Sequence, residues 1–386
     1  MSVEKSTLSQ AEWSRYSRHI ILSEIGLQGQ LKLKSAKVLV IGAGGLGAPI
    51  LLYLAAAGIG TIGIVDDDIV EDSNLQRQVL FGITDVGQPK VEAAKKRLLA
   101  LNPHIKIITF QQRLCSTSAL SIFAQFDYVV DGSDNFATRY LVNDAAYLAQ
   151  IPNIYGSIYQ FEGQVSVFNY KNEKGEISPN YRDIFPNPPL PGTVPSCGEA
   201  GVLGVLPGII GALQANELLK IIVGIGEPLI GKMLSINALT LSSHLFTYGK
   251  NDDNPLSGSN PSIKELIDYE AFCQTNTEKK EGTTKISITQ FEQLRQTEAA
   301  FQLIDIREPN EHQFVAIGGI NIPLKQLENK LELISKTDVV ILYCKSGQRC
   351  NLAIDLLAEK GFRNVKYLEG GILAYIRKYR PELPIY

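Results

Sequence analysis

Two loops near opposite ends of the sequence carry the residue types best suited to chemistry. The first is Gly42-Ala43-Gly44-Gly45-Leu46-Gly47, and the second is Cys344-Lys345-Ser346-Gly347-Gln348-Arg349. Each stands between an apolar run and a predicted helix, where free backbone N–H groups favour an anion. The first loop suits the phosphates of a nucleotide, and the second suits a sulfur anion on its cysteine. Together they indicate an enzyme that activates a substrate with a nucleotide and then transfers sulfur to it.

The elements that must hold the glycine loop are predicted from the spacing of apolar runs. Strands are predicted over residues 37–41, 61–65, 105–110 and 128–130, with helices over 48–58, 91–101 and 139–149. This alternation predicts an α/β fold with a parallel, doubly wound sheet. Beyond residue 151 the pattern over 157–168 alternates more strongly, which predicts antiparallel strands.

The chain of 386 residues is long enough for two domains. We predict a nucleotide-binding domain over residues 1–250, a linker over 251–281 and a smaller α/β domain over 282–386. The linker is predicted from its Asn, Pro, Ser and Gly content, with one short amphipathic piece over 263–272. The smaller domain has predicted strands over 301–306, 339–343 and 365–368 and a predicted helix over 350–360.

Composition narrows the class of protein. An apolar fraction of 45%, a charged fraction of 20% and a net charge of −3 are typical of a globular protein that does not have nucleic acid as its main ligand. The longest apolar stretch, residues 200–213, is too short to cross a bilayer, so it predicts a buried helix and no membrane partner. Residues 1–10 lack the apolar run of a signal peptide, and five widely spaced cysteines do not suggest disulfides. The cytoplasm is therefore the predicted compartment.

The residues that follow the glycine loop distinguish between NAD and ATP as the predicted ligand. Gly42, Gly44 and Gly47 with Asp66 fit a dinucleotide fingerprint, which suits NAD as well as ATP. Two later cations, Arg77 and Lys90, are more than a dinucleotide needs but suit a triphosphate. Two carboxylates, in the segment Asp131-Gly132-Ser133-Asp134-Asn135, form a natural magnesium site beside phosphates. ATP is therefore the predicted ligand.

These motifs, together with Arg15-Tyr16-Ser17-Arg18 and Ser73-Asn74-Leu75-Gln76-Arg77-Gln78, resemble the activating enzymes of ubiquitin-like sulfur carriers. Those enzymes are the adenylyltransferases that serve molybdopterin synthase and thiamine biosynthesis. The resemblance covers roughly residues 10–248. It implies a Rossmann-like sheet of the ubiquitin-activating type. It also implies that the C-terminal Gly-Gly carboxylate of a carrier attacks the α-phosphate of ATP.

The resemblance also implies roles for individual residues. The phosphates would lie against the glycine loop, which includes Gly45, and against Asn74, Arg77 and Lys90. Asp66 would hold the ribose, and Asp134, beside Asn135, would bind Mg²⁺. Arg18 would reach the phosphates from the partner subunit of a homodimer. Taken without the resemblance, Arg18 is better interpreted as a surface salt-bridge residue.

A cysteine follows the proline-rich segment 179–195. Cys197 matches the residue that, in similar enzymes, attacks an adenylate or forms a transient disulfide with a sulfur donor. A packing role is the alternative. Similar enzymes commonly carry two Cys-x-x-Cys pairs that bind structural zinc, but the matching segments, 180–183 and 251–257, contain no cysteine. We therefore predict no zinc.

The second cysteine loop, with its Cys-x4-Arg spacing, can wrap its amides around sulfur and stabilise a persulfide. Protein phosphatases use a loop one residue longer, which fits a phosphate. The loop and its surroundings resemble rhodanese domains over residues 285–386, through Leu303-Ile304-Asp305-Ile306-Arg307-Glu308 and Tyr367-Leu368-Glu369-Gly370-Gly371. The resemblance makes Cys344 the persulfide carrier, with Arg349 among its stabilisers.

The remaining thiols and His312 have plainer interpretations. Cys350 stands where serine is common, and either resolves a persulfide or fills a small space; filling is favoured. Cys115 and Cys273 have no partner motif, and we interpret both as structural. His312 is likewise interpreted as structural.

The two halves predict an adenylyltransferase fused to a sulfurtransferase. ATP and Mg²⁺ would adenylate a ubiquitin-fold carrier ending in Gly-Gly. A cysteine desulfurase or thiosulfate would load Cys344, and its persulfide would convert the adenylate into a thiocarboxylate. Three alternatives stay open: an NAD-dependent oxidoreductase with an attached rhodanese, a non-catalytic adaptor, and adenylation of a carrier or peptide without sulfur transfer.

Overall fold

The computed structural model describes residues 7–189, 201–274, 285–297 and 300–385. Within these residues the chain divides into two units, and each unit has its own sheet. The predicted α/β class is confirmed by the alternation of strands and helices in both sheets. The predicted domain boundaries stay a prediction.

The first unit is built on an eight-stranded sheet. Its strands are β1 (Lys37–Ile41), β2 (Thr61–Val65), β3 (Lys106–Phe110), β4 (Tyr128–Asp131), β5 (Asn153–Tyr159), β6 (Glu162–Phe168), β7 (Lys232–Asn237) and β8 (Ser243–Thr247). The strand order is β3-β2-β1-β4-β5-β6-β7-β8. The strands from β3 to β5 pair in parallel, and β6, β7 and β8 pair antiparallel. The predicted change to antiparallel pairing therefore occurs at the hairpin between β5 and β6.

Helices cover both faces of this sheet. They are α1 (Gln10–Ile20), α2 (Gly26–Ser35), α3 (Gly47–Ala57), α4 (Lys90–Leu101), α5 (Ser116–Phe123), α6 (Phe136–Ala149), α7 (Tyr181–Ile184), α8 (Leu206–Val223) and α9 (Tyr269–Gln274), with short 3-10 turns at Asp72–Asn74 and Ile83–Asp85. Apolar residues of α3, α4 and α8 form one core, and those of α5 and α6 form another on the opposite face. Two separate cores are what a doubly wound sheet requires.

The second unit has a five-stranded parallel sheet in the order β11-β10-β12-β13-β9. Its strands are β9 (Lys285–Ile286), β10 (Phe301–Asp305), β11 (Ile320–Asn321), β12 (Val339–Tyr343) and β13 (Val365–Leu368). Its helices are α10 (Ile288–Gln296), α11 (Pro309–Phe314), α12 (Gln348–Glu359) and α13 (Gly371–Tyr379), with a 3-10 segment at Leu324–Leu333. Apolar side chains pack against both faces of the sheet, so this sheet is also buried between two layers.

The apolar stretch predicted to be a buried helix contributes to α8, but the helix runs further than predicted. Among the described residues, α8 is the one helix long and apolar enough to cross a membrane by length and composition. Its buried residues include Ile210, Gln214 and Leu218, and it packs against α3, β5 and β6. The helix therefore serves as a core element of the first unit.

The first part of the predicted linker packs onto the first unit. Leu256 and Tyr269 are 3% and 4% exposed, and the Tyr269 hydroxyl donates to Asp144 of α6 at 2.8 Å. The same carboxylate pairs with Arg182 through two hydrogen bonds of 2.8 Å, with both side chains fully buried. Polar composition predicted a linker here, but a few buried side chains are enough to fix such a segment. Residues 275–281 of the predicted linker lie outside the described residues.

Hydrogen bonds join the two segments that the resemblance associates with zinc-binding cysteines. The Asn254 side-chain amide donates to Asn180 Oδ1 at 3.2 Å and to Asp183 Oδ1 at 2.8 Å. The Asn180 amide donates to Ser257 Oγ at 2.8 Å, and the Asn251 N–H donates to Asp183 Oδ1 at 2.9 Å. Amides and a carboxylate thus connect residues 180–183 to 251–257 directly.

Asn254→Ala should lower the free energy of unfolding by about 2–4 kcal/mol, because Asn254 is 1% exposed and its loss leaves the buried Leu256 N–H without its acceptor. Asp253→Ala, an exposed change in the same turn, is the matched control. Thermal unfolding of the two variants measures the difference in stability.

Thermal unfolding of the unaltered chain with and without a chelator tests the prediction of no zinc. We expect the chelator to leave the melting temperature unchanged. A chelator-sensitive melting temperature would overturn that prediction.

Candidate functional site

A cavity of about 370 Å³ opens at the carboxyl ends of β1, β2 and β4. Strands β1 and β4 are parallel neighbours, but the chain leaves β1 for α3 in one core and leaves β4 for α6 in the other. The connections therefore diverge, and a crevice forms between them. This topological switch point is where open α/β sheets bind ligands.

Eight of the ten predicted nucleotide-site residues line this cavity. They are Gly42, Gly44, Gly45, Asp66, Arg77, Lys90, Asp134 and Asn135. Gly47 and Asn74 are not among the lining residues. Arg18 is exposed on α1 and is not among the lining residues. Cys197 lies outside the described residues.

Two glycines let the first loop pass close to the sheet. Gly42 has a φ of +86°, which an L side chain rarely adopts. A Cβ on Gly47 would lie 1.9 Å from the carbonyl oxygen of Gly42, which is far inside van der Waals contact. Gly47 therefore shapes the loop from its position at the start of α3. The loop in turn brings its backbone against the cavity.

The carboxylate of Asp66 is held by backbone amides. Its Oδ2 accepts from the Ala43 N–H at 2.8 Å, and its Oδ1 accepts from the Asp68 N–H at 2.9 Å. Burial raises the pKa of Asp66 above its ordinary value, while these amides and the charge of Lys90 act in the opposite direction. Asp66 is thereby fixed at the end of β2, beside the glycine loop.

Two cations reach the cavity from different elements. Lys90 begins α4, is 5% exposed, and pairs with Asp68 Oδ2 at 2.7 Å. The Arg77 guanidinium donates from Nη1 to the Ser73 carbonyl at 3.1 Å. Each cation is oriented by a contact within the protein and lines the cavity. The site can therefore compensate several negative charges on one ligand.

Asn74 has a structural contact of its own. It is 8% exposed, and its Oδ1 accepts from the Glu71 N–H at 3.2 Å within the 3-10 turn before Arg77. This contact shapes the turn that carries Arg77. The predicted phosphate contact of Asn74 stays a prediction.

One of the two carboxylates predicted to form the magnesium site, Asp131, does not line the cavity. Asp131, at the end of β4, is fully buried and its Oδ1 accepts from the Ser133 N–H at 2.9 Å. Burial raises the pKa of Asp131 to about 6, against the opposing charge of Arg139. Arg139 lines the cavity and its guanidinium lies 5.5 Å from the Tyr155 ring centroid. Asp131 is thus buried, whereas Asp134 is exposed and lines the cavity, and Arg139 is a lining cation that sequence reasoning missed.

In the second unit, Cys344 follows β12 and α12 begins at Gln348, so the cysteine loop is a strand-to-helix turn. The Gly347 N–H donates to Cys344 Sγ at 3.1 Å, and Gly347 has a φ of +96°. A hydrogen bond from the Cys350 thiol, opposed by burial and assisted by the charge of Arg349, lowers the pKa of Cys344 from an ordinary 9.0 to about 7. The lowered pKa increases the fraction of this thiol that is thiolate at neutral pH.

The Glu369-Gly370-Gly371 segment packs against this loop. The N–H groups of Ile372 and Leu373 donate to the carbonyls of Cys344 and Lys345 at 2.9 and 3.2 Å. A Cβ on Gly371 would lie 2.5 Å from the Cys344 carbonyl oxygen. The glycine is therefore needed for the start of α13 to support the cysteine loop.

Arg349 is held by an acid that sequence reasoning missed. Its Nη1 and Nη2 donate to the two carboxylate oxygens of Glu311 at 2.7 and 2.8 Å. The side chains of Arg349 and Glu311 are 11% and 9% exposed. A two-point contact of this kind fixes the plane of the guanidinium. Arg349 thus acts on the sulfur from a fixed position, since its charge lowers the pKa of Cys344.

The remaining predicted residues fall in different environments. His312 Nδ1 lies 2.9 Å from Asp305 Oδ2, in the same cluster as the buried Arg307, which agrees with a structural role. Cys273 is half-buried, and burial raises the pKa of its thiol to about 11. Cys115 is exposed, and hydrogen bonds from Ser118 and Thr117 lower its pKa to about 7.

Replacing Cys350 by alanine should raise the pKa of the Cys344 thiol above about 7, because the alanine cannot donate to the sulfur. Cys350→Ser keeps a donor and should keep the low pKa. The ultraviolet absorbance of the thiolate, taken as the difference between each variant and its Cys344→Ala partner, measures the titration. An unchanged midpoint in Cys350→Ala would contradict the assigned hydrogen bond.

Each of the two units matches the model of a protein family. The model of the ThiF family matches residues 16–256, and the model of the Rhodanese-like domain matches residues 287–378. The first match covers the glycine loop, Asp66, both cations and Asp134. The chain belongs to the ThiF family. It carries a ThiF domain followed by a rhodanese domain, and it is an adenylyltransferase and sulfurtransferase.

Relatives share this organisation. A probable adenylyltransferase/sulfurtransferase MoeZ of Mycobacterium tuberculosis is 45% identical over 387 residues, covering 99% of this chain and 97% of that protein. An adenylyltransferase and sulfurtransferase MOCS3 of Culex quinquefasciatus is 42% identical, covering 98% and 90%. A sulfur carrier protein adenylyltransferase of Thermus thermophilus is 53% identical over 262 residues, covering 68% and 97%. Similarity to the first two relatives thus extends through both domains.

A solved structure supports the fold of the ThiF domain. The crystal structure of Escherichia coli MccB with ATP is 27% identical and has a TM-score of 0.55, covering 63% of this chain and 74% of that chain. The predicted Rossmann-like sheet is therefore confirmed by topology, family and structural likeness.

Proposed function

We propose that the ThiF domain uses ATP to adenylate the C-terminal glycine of a ubiquitin-like sulfur carrier, and that Cys344 supplies persulfide sulfur to form a thiocarboxylate. The observation that carries this proposal is the presence of two complementary anion sites in one chain. A cavity at the switch point is lined by Arg77 and Lys90, and a separate loop gives Cys344 a lowered pKa.

Adenylation depends on the balance of charge in the cavity. The carrier carboxylate attacks the α-phosphate, an acyl-adenylate forms and pyrophosphate leaves. Arg77 and Lys90 offset the negative charge that grows on the departing phosphates. Asp66, held by two backbone amides at the end of β2, accepts hydrogen bonds from the ribose hydroxyls.

The chemistry of Asp134 fits the predicted Mg²⁺. Its carboxylate is exposed at the cavity, and its Oδ1 accepts a long hydrogen bond of 3.4 Å from Asn135 Nδ2. Carboxylate oxygen is a preferred magnesium ligand. Asp134 would hold Mg²⁺, which would neutralise phosphate charge. Asn135 caps α6 by accepting from the Thr138 N–H at 2.9 Å and thereby fixes the turn that carries Asp134.

Sulfur transfer follows adenylation. A donor such as a cysteine desulfurase or thiosulfate loads Cys344 as a persulfide, and the outer sulfur attacks the acyl-adenylate and releases AMP. The product is an acyl disulfide between Cys344 and the carrier. Reductive cleavage then frees the thiocarboxylate. Cys197 is one candidate for that cleavage.

The proposed assembly is a homodimer in the cytoplasm. Arg18 is exposed on α1 and makes none of the ion pairs found among the described residues. An exposed cation of this kind is available to a partner subunit's site, as the resemblance implies. The names of relatives favour molybdenum cofactor biosynthesis, and thiamine biosynthesis is the other proposed pathway.

Adenylation without sulfur transfer is the second candidate function. The likeness to MccB, solved in complex with ATP, is confined to part of the chain and favours adenylation in general. The low pKa and supported loop of Cys344 argue against a chain that only adenylates. Membership of an adenylyltransferase family argues against an NAD-dependent oxidoreductase.

ATP–pyrophosphate exchange with a panel of ubiquitin-fold carriers tests the proposed function. We expect exchange that depends on a carrier with an intact Gly-Gly terminus, and no exchange with a carrier that lacks its last glycine. Binding of NAD together with an absence of exchange for every Gly-Gly carrier would overturn the proposal.

A further inference from the structure

Two thiols share one buried cluster in the rhodanese domain. Cys344 and Cys350 are each 0% exposed, and both belong to the core formed by β12, α12 and the neighbouring strands. Cys350 lies in the first turn of α12, and its N–H donates to the Gly347 carbonyl at 3.3 Å. The Gly347 N–H in turn donates to Cys344 Sγ at 3.1 Å, so Gly347 bonds to both cysteines. The two buried thiols therefore lie close together, on either side of Gly347.

We propose that Cys350 is the resolving thiol of the sulfur-transfer reaction: it attacks Cys344 Sγ in the acyl disulfide and releases the carrier thiocarboxylate. This inference rests on the proposed function. It assigns to the rhodanese domain itself the reductive cleavage for which Cys197 is the other candidate.

The step balances in atoms and electrons. A bond forms between the sulfurs of Cys350 and Cys344, and the bond between Cys344 Sγ and the acyl-bearing sulfur breaks. The electron pair of the broken bond leaves on the thiocarboxylate, and the Cys350 proton goes to solvent. The two protein thiols are oxidised to one disulfide. An external dithiol then reduces that disulfide and completes the cycle.

The position of the attacked atom favours Cys350. Release of a thiocarboxylate requires attack on the inner sulfur, Cys344 Sγ, rather than on the outer sulfur that carries the acyl group. That inner sulfur is buried, and Cys350 lies in the same buried cluster, in the first turn of the helix that follows the loop. During this step a thiol from elsewhere would have to reach a buried atom that is still bonded to the carrier, so the neighbouring thiol has the advantage of proximity. The external dithiol acts later, after the carrier has left.

The state of Cys344 affects the pKa of Cys350. In the resting loop, burial, the hydrogen bond to Cys344 and the Cys344 charge raise the pKa of Cys350, which keeps it protonated. Loading moves the charge from Cys344 Sγ to the outer sulfur, and acylation then removes it from the loop, while Arg349 continues to lower the pKa of Cys350. Burial still raises that pKa, but the contribution from the charge on the Cys344 thiolate is gone once the acyl disulfide forms.

The leaving group also separates productive from unproductive cleavage. Attack of Cys350 on an unacylated persulfide would expel hydrosulfide, whereas attack on the acyl disulfide expels a thiocarboxylate. The thiocarboxylate is the weaker base because its charge is shared with the carbonyl oxygen, and weaker bases leave faster. Release of sulfide from the loaded loop should therefore be slow compared with release of the carrier.

Single-turnover reactions of the full chain test this proposal. Thiosulfate loads Cys344, and ATP is then added with a Gly-Gly carrier that supports pyrophosphate exchange, in the absence of reductant. Cys350→Ser is the informative variant because it keeps a hydrogen-bond donor to Cys344. Cys197→Ala is the competing variant. Pyrophosphate exchange and the mass of the loaded Cys344 peptide are recorded for every sample.

In the unaltered chain we expect free thiocarboxylate together with a Cys344–Cys350 disulfide, seen as a peptide lighter by two hydrogens. In Cys350→Ser we expect normal exchange and accumulation of the carrier as a thiol-sensitive covalent conjugate, with release per loaded Cys344 slowed at least about ten-fold. Normal release by Cys350→Ser would overturn the role of Cys350 and leave the proposed function standing. Accumulation of the conjugate in Cys197→Ala instead would have the same meaning. Loss of exchange or loading in the unaltered chain overturns the proposed function itself.

Discussion

Cys344→Ala is expected to abolish formation of the carrier thiocarboxylate while leaving carrier adenylation unchanged. Cys344 supplies the nucleophilic sulfur, and its pKa of about 7 depends on the loop around it rather than on the ThiF domain. Alanine removes the sulfur atom but fits the same small buried space. Loss of a covalent nucleophile typically costs roughly a thousand-fold or more in rate.

Two assays on the same preparation separate these effects. Retardation of the carrier in an organomercury gel reports thiocarboxylate, and ATP–pyrophosphate exchange reports adenylation. Cys115→Ala is the matched control, because Cys115 is an exposed cysteine with a similarly low pKa that belongs to the other unit. An undiminished yield of thiocarboxylate with Cys344→Ala would contradict the role of Cys344 as the persulfide carrier. An equal loss of yield with Cys115→Ala would contradict it as well.

Lys90→Met should have the opposite pattern, with adenylation reduced at least about a hundred-fold and sulfurtransferase activity retained. Methionine keeps most of the apolar stem of Lys90 and removes the charge that faces the cavity. Its ion-pair partner, Asp68, has a side chain 67% exposed, so the substitution leaves no buried carboxylate without a partner. The expected loss is therefore a loss of phosphate stabilisation rather than of folding.

Lys96→Met is the matched control, since Lys96 is an exposed lysine on the same helix, α4. Pyrophosphate exchange measures adenylation, and thiocyanate formation from thiosulfate and cyanide measures the rhodanese domain. A thermal unfolding curve checks the fold of both variants. Normal exchange by Lys90→Met would exclude the phosphate contact.

Much of the ThiF-domain sheet could be predicted from sequence because its parallel strands are short apolar runs bounded by glycine or acidic residues. Strands β1 and β2 have the predicted bounds, and α3 differs from its prediction by one residue at each end. The glycines that end or begin these elements leave few conformations open. Local signals and tertiary structure agree in this part of the chain.

Side-chain partners distant in sequence could not be predicted in this way. Glu311 orients Arg349 from 38 residues away, and Asn254 joins Asp183 across 71 residues. The spacing of apolar residues in the sequence does not predict such pairs, because they form only when the strands take their order in the sheet. Cys344 and Cys350 are closer in sequence, but their shared place in one buried cluster depends on the turn into α12.

The intact mass of the carrier after reaction with this chain tests the central claim most directly. The account predicts a gain equal to the replacement of one carboxylate oxygen by sulfur, and the gain should require both ATP and Cys344. A carrier that exchanges pyrophosphate yet keeps its original mass would contradict the account, as would the same gain in Cys344→Ala.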